Sequence, residues 1–454
     1  MKSVSPLLRN RLKRGVTVSL ASVAAIVTVL GTVGCGEAER EAAKANSNEI
    51  TLWTHTAGFD DQLNAVKQIV KDYNASADKK ATVKIQAFPQ SSYNDSVISA
   101  SSANKLPCLV DVDQPNIPYW ASAGVIQPLT NKDLLSRSEE LLQSAVGKWN
   151  DATYGVGYTD DTVALFARKS VLKSLGIREA TFDQPWDKAE LMDALSKMKS
   201  SGKNPVTGTA WDYPLDMGTA SSGGEWYSYA FSPLLQSFGG DLINRENYKT
   251  SQGVLNSSKA IEFGNWMHSL VTDKYMAVKG ASDTGLEFVN DKIGLLYSGE
   301  WTYGTMKDNN IDISDIAIMP PPDLGEGPVT AGGAWEVAVT KSCNNTEAAQ
   351  DYMNFSLQDK YILSMAGSSL PASEAAMAQS DLYKEGGDLA VMAEISKKYV
   401  KMRPETPSYS FISTEFDKTI SDIINGADVK QTLNSAVTAI DANIQSTEQS
   451  SSSK

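Results

Sequence analysis

Histidine is almost missing from the 454 residues; only His55 and His268 occur. That scarcity leaves little room for Ser/His/Asp hydrolysis, and no GxSxG elbow is present. Neither GxGxxG nor GxxxxGK is found, so nucleotide chemistry is not indicated and no cofactor is expected. Cysteine is limited to Cys35, Cys108 and Cys343, without the CxxC or Cys/His spacing of a metal site. With Cys35 set aside, the other two fit either a disulfide formed outside the cytoplasm or two buried thiols. Basic stripes are lacking as well: the formal charge is −13, and the five positives near the start make the remainder more acidic still. Such a body does not attract nucleic acid, and its acidity reads as solubility.

The first fifteen residues hold Lys2, Arg9, Arg11, Lys13 and Arg14 with no acid, and the apolar run VTVSLASVAAIVTVL follows at 16 to 30. A basic start and a short apolar run make a secretory signal over 1–34, to be left out of fold reasoning. The run is short for a spanning anchor. It ends in LGTVGC, which resembles the lipobox of bacterial lipoproteins, with Thr32 where Leu is usual. That resemblance implies lipidation of Cys35, so that 35–48 would be the lipidated Cys and a flexible tether. The tail at 446–454 reads as frayed and disordered. No second long apolar run occurs, and the 41% hydrophobic content is ample for a large soluble body of more than one domain.

The body opens with EITLWTHT, a strand, and DDQLNAVKQIVKDYNAS, whose Leu63, Val66, Ile69, Val70 and Tyr73 recur at helical spacing. The strand ATVKIQAF, the helix SSYNDSVISASSANK and the strand CLVDVD continue an alternation that specifies a parallel sheet wound with helices. Ligands of such sheets sit beyond the carboxyl ends of the strands. Further along, Trp186 can staple the helix of 187 to 202, and the strand IGLLY runs into SGEWTYG.

Taken in order, ITLWTHT, DVDQPNIPYWASAGVIQPLT, YGVGYTDDTVALFARKSVLKSLGI, FGGDLIN, DKIGLLYSGEWTYG, GGAWEVAVTKS and GSSLPAS resemble the extracellular solute-binding proteins of ABC importers, the large family that includes maltose-binding protein. The resemblance implies an α/β, two-lobed periplasmic-binding-protein fold of class II type. Each lobe would be a central sheet flanked by helices, with the ligand cleft between lobes. It implies a first lobe of 49–159 and 317–362 and a second of 163–313 and 368–445. It also brings the GGAWEVAV strand antiparallel beside CLVDVD, which favours a Cys108–Cys343 disulfide.

A pyranose offers flat C–H patches and a rim of hydroxyls, which aromatic faces and charged or amide groups bind. Residues expected at the cleft are Trp53 and His55 at the end of the first strand, Asp113 and Gln114 at the end of the third, and Tyr158 and Asp161 near the first crossing. The second lobe would add Trp226, Tyr227, Glu300, Trp301, Arg403 and Tyr409, and Trp335 would follow the Gly332-Gly333 pair. The expected function is capture of a carbohydrate, an oligosaccharide above all, by hinge closure, with delivery to ABC permease subunits. The protein would be a monomer, lipid-anchored at the outer face of the cytoplasmic membrane, as suits a Gram-positive cell. Three rivals stand beside this reading. A polyamine or other non-sugar solute could use the acids and aromatics, a surface glycoside hydrolase could use paired carboxylates, and an adhesin would need no hinge.

Overall fold

The computed structural model describes residues 48–221, 225–280 and 283–452. The signal segment, Cys35 and nearly all of the tether lie outside the described residues.

The first sheet is built from β1 (Glu49–Ala57), β2 (Thr82–Pro89), β3 (Leu109–Asp113), β4 (Val146–Trp149), β5 (Ala152–Gly157) and β11 (Trp335–Val339), in the order β2-β1-β3-β11-β5-β4. Only β2, β1 and β3 are mutually parallel; β11 returns antiparallel between β3 and β5. That return sets Cys343 beside Cys108, and the two are joined in a disulfide across 235 residues of sequence. Such a link stabilises by about 2–4 kcal/mol, mainly by restricting the unfolded chain. The helix Asp60–Ala75 lays Ala65, Val66, Ile69, Val70 and Tyr73 on one face of this sheet, with two acids in its first turn to complement the helix dipole. Tyr93, Val97, Ile117 and Trp120 cover the other face.

A second sheet, in the order β10-β7-β9-β8, contains β7 (Val163–Arg168), β8 (Tyr213–Asp216), β9 (Ile293–Gly299) and β10 (Ile316–Met319). Its larger core joins the helices Lys188–Ser201, Trp226–Phe238, Ser258–Thr272 and Tyr409–Ile424. Trp186 is buried ahead of the first of these, where Asp187 and Glu190 form a reciprocal capping box. Two sheets with separate cores, each flanked by helices, make a mixed α/β architecture of two lobes.

Between the sheets the chain passes through β6 (Thr159–Asp160), which pairs with β12 (Leu370–Pro371). Thr162 and Thr330 lock two crossings side by side, their hydroxyls 2.8 Å apart and Thr330 Oγ1 donating to Val163 O at 2.7 Å.

Three expected boundaries move. Residues 317–319 belong to β10, which pairs with β7 in the second sheet, so the return to the first sheet falls between Met319 and Trp335 rather than at 317. The segment from 368 does not start cleanly in the second lobe, because β12 pairs with β6 and Ala376 enters the first core. Residues 446–452, expected to fray, continue the helix Val429–Ser452, since STEQSSS holds no Pro or Gly to stop it.

Candidate ligand-binding cleft

Arg403 is the hub where the two walls meet. Its Nη2 donates to Asp113 Oδ1 at 3.0 Å and its Nη1 to Asp113 Oδ2 at 3.2 Å, a two-pronged pairing at the carboxyl end of β3. Nη1 also donates to Glu225 Oε2 at 3.0 Å, an oxygen that takes a second hydrogen bond from the Tyr409 hydroxyl at 2.6 Å. Glu225 and Tyr409 stand at the first turns of two helices packed on the second sheet, so one guanidinium ties both walls. Ser410 Oγ adds a crossing bond to Asn116 Oδ1 at 2.7 Å.

Gly333 lets the Arg403 loop approach β11. Its φ of 96° is one that side chains rarely adopt, and a Cβ there would meet Met402 at 3.1 Å and Gln114 Oε1 at 3.3 Å. Its N–H donates to Asp160 Oδ1 at 2.7 Å, while Ser396 Oγ donates to Oδ2 at 3.0 Å. Burial still pushes the Asp160 carboxyl up to about 6 against those donors, because it is sealed beneath the hinge.

On the second wall Glu300 has no exposed surface, and its Oε2 accepts from Thr162 N–H at 3.2 Å. Burial first, then the negative charge of Asp161 beside it, holds Glu300 well above the carboxylate range. Burial therefore favours the neutral, protonated form of Glu300. Tyr229 lies alongside, with the Arg403 guanidinium 5.1 Å from its ring centre. Its ring is 6.4 Å from that of Trp301, which meets Trp226 edge-on at 6.0 Å. Trp301 is 39% exposed, an open indole beside otherwise buried groups.

Among the described residues, Gln114 Oε1, Asn116 Nδ2, Asp161 Oδ1, Tyr229 Oη, Glu300 Oε1 and Arg403 Nε are buried with no hydrogen-bond partner in the protein. The contacts at Gly333 and Tyr229 place most of them around one centre. Buried polar atoms are nearly always paired, so their concentration here marks a place where another molecule supplies the partners.

Several expected residues serve differently. Trp53 is not at a strand end, since β1 runs on to Ala57; it packs on Phe88 with ring centres 4.7 Å apart. Tyr158 turns into the first core and donates to Ser356 Oγ at 2.9 Å. Tyr227 is fully buried and donates to Thr219 O at 2.9 Å, so it faces the helix core rather than the cleft. His55 and Trp335 stack at 3.9 Å, and His55 Nδ1 lies 2.7 Å from Asp111 Oδ2. Together with Asp111, Tyr158 and Asp161 they line a cavity of about 40 Å³, room for water but not for a sugar ring. Sequence reading passed over Glu225, Tyr229, Asn116 and Asp111. Tyr229 was within reach, because it stands three residues after Trp226 on one helical face.

Two α/β lobes whose strand ends and crossings enclose unpartnered polar atoms define a two-lobed solute-binding protein. The family of bacterial extracellular solute-binding proteins matches residues 68–391, and the chain belongs to it. No curated protein sequence matches. Among solved structures, the ABC transporter solute-binding protein from Thermotoga lettingae, bound with α-D-tagatose, is 17% identical with a TM-score of 0.70, covering 87% of this chain and 100% of its own. The cyclic α-maltosyl-1,6-maltose binding protein from Arthrobacter globiformis is 20% identical, with a TM-score of 0.68 and coverage of 88% and 99%. The maltose/maltodextrin-binding domain from Bdellovibrio bacteriovorus, bound to maltotriose, is 17% identical, with a TM-score of 0.69 and coverage of 88% and 100%. All three share the two-lobed fold.

Proposed function

We propose that this protein captures a carbohydrate, an oligosaccharide in particular, in the cleft around Arg403 and hands it to the permease of an ABC importer. The observation that carries this reading is the set of unpartnered buried polar atoms beside the open face of Trp301, which is the mixture that hydroxyls and C–H patches require. The similar proteins named above bind saccharides, which supports the same class. Opening of the hinge would break the Arg403 contacts, and ligand would restore the closed population by bridging both walls. The LGTVGC segment supports a lipid on Cys35 that keeps the protein at the outer face of the membrane.

Thermal unfolding against a panel of mono- and oligosaccharides tests the proposal. A ligand at a hundred times its dissociation constant adds about 2.7 kcal/mol and raises the midpoint. A rise confined to one series of saccharides is the expected result. Slow cleavage of a saccharide in place of a midpoint shift would turn the reading towards an enzyme.

A further inference from the structure

The carboxyl pair on the second wall has no cation to balance it. Arg403 is engaged with Asp113 and Glu225, and among the described residues no Lys, Arg or His forms an ion pair with Asp161 or Glu300. The titratable groups facing the pair are Asp160 beside it, His55, Asp111 and Tyr158 across the small cavity that Asp161 lines, Tyr229 from the helix Trp226–Phe238, Tyr383 from the chain before the helix Ala390–Tyr399, and Arg403 from the loop that follows. All but His55 and Arg403 are acids or phenols, and those two are engaged elsewhere, His55 with Asp111 at 2.7 Å and Arg403 with Asp113 and Glu225.

An acidic pair alone is no site, and the second observation is Tyr229. It is 8% exposed, its hydroxyl has no partner, and it feels the charges of Asp161, Glu300 and Asp160. Beside it lies the open indole of Trp301. Unbalanced carboxylates, a free phenol oxygen and an aromatic face together suit an ammonium group. A neutral sugar would offer hydroxyls to the same atoms but would leave the negative charge buried and unpaired.

The geometry points to a ligand that carries an amino group: an amine-bearing saccharide, its ammonium held by Asp161, Glu300 and Tyr229 and its ring against Trp301. This rests on the saccharide reading above and narrows it. The proton that burial keeps on Glu300 leaves to solvent as the ammonium enters, so binding releases protons. Affinity therefore rises with pH for as long as the amine stays charged.

Calorimetry on the purified chain would compare two matched pairs: cellotetraose with the glucosamine tetramer, and maltotetraose with its 6-amino-6-deoxy derivative. Runs in buffers of different ionisation enthalpy, between about pH 6 and about pH 8, count the protons released. The aminated member of one pair is expected to bind about ten-fold more tightly than its neutral partner, or roughly 1.4 kcal/mol, with net proton release. Glu300→Gln is expected to collapse that ratio to about two-fold or less, and Tyr229→Phe to reduce it part of the way. Neutral members that bind as tightly as aminated ones, or aminated binding without proton release, would overturn the inference and leave the saccharide reading standing. Binding of spermidine with no response to any saccharide would overturn both.

Discussion

The two walls of the cleft are built from similar residues and treat them in opposite ways. On the first-sheet wall every ring is pinned. His55 sits between Asp111 and Trp335, Tyr93 meets Trp335 edge-on at 5.6 Å, and the Tyr93 hydroxyl donates to Trp53 O and accepts from Asp111 N–H. On the second wall Trp301 is open, Tyr229 keeps an unpartnered hydroxyl, and Glu300 faces Asp161 without a cation. Polar groups that satisfy one another make a rigid floor, whereas unpartnered ones leave selectivity to whatever enters. Gln114 Oε1 and Asn116 Nδ2, just beyond β3, are unpartnered on the first wall too, so the difference assigns most of the stability to one wall and most of the discrimination to the other.

Arg403 belongs to neither and should give the largest effect. Arg403→Met leaves Asp113 and Glu225 facing each other without their cation, and a stability loss of about 3–5 kcal/mol is expected in urea unfolding. Arg403→Lys should recover only part of it, since one ammonium cannot reproduce the two-pronged grip on Asp113. A loss under about 1 kcal/mol would show that the walls are joined by something other than this ion pair.

The next test sets two tryptophans against each other. Trp335→Ala removes the ring between His55 and Tyr93, and a cost of about 3 kcal/mol in stability is expected. Trp301→Ala should stay within about 0.5 kcal/mol of the parent in stability yet weaken ligand binding by about 2 kcal/mol. Equal stability losses at both positions would erase the distinction between floor and reader.

Asp160, under the hinge where the walls join, adds a pH axis. Its native value is raised from 3.8 to about 6 by burial, so the folded state holds this proton more tightly than the unfolded chain does. The resulting stabilisation is complete below 3.8 and is lost as pH rises through about 6. Asp160→Asn keeps an acceptor for Gly333 N–H and never ionises. Its stability relative to the parent should improve by up to about 3 kcal/mol between acid and neutral pH, read from midpoints across that range.

The alternation of strands and helices made the architecture legible, because its periods follow from burial alone. Placing β10 was harder, since an apolar four-residue strand carries no mark of which sheet it joins. At the site, residue type singled out Asp113, Glu300, Trp301 and Arg403, and the structure brings all four to the cleft. Tyr227 and Tyr229 show where pattern fails: they point to opposite sides of a helix that is buried almost all round, so periodicity marks neither side as the cleft, and packing against Thr219 and Phe231 decides it. Glu225 gave no signal, because its role depends on an arginine 178 residues away.

The smallest expected effect bears on why a buried strand ends in Ser298-Gly299 before Trp301. The indole folds back over Gly299 so closely that a Cβ there would lie 2.1 Å from its ring, and no side chain can occupy the position while the ring keeps its place. Gly299→Ala must therefore move Trp301, and since that ring is partly in solvent it can swing aside for less than about 0.5 kcal/mol of stability. Its distance from Tyr229 would change with it. Binding should weaken by less than in Trp301→Ala, roughly 1 kcal/mol, because the ring remains but is no longer held over the cleft. A Gly299→Ala protein with unaltered affinity would mean that the ligand never meets this indole, and the second wall would then reduce to Tyr229, Glu300 and Asp161.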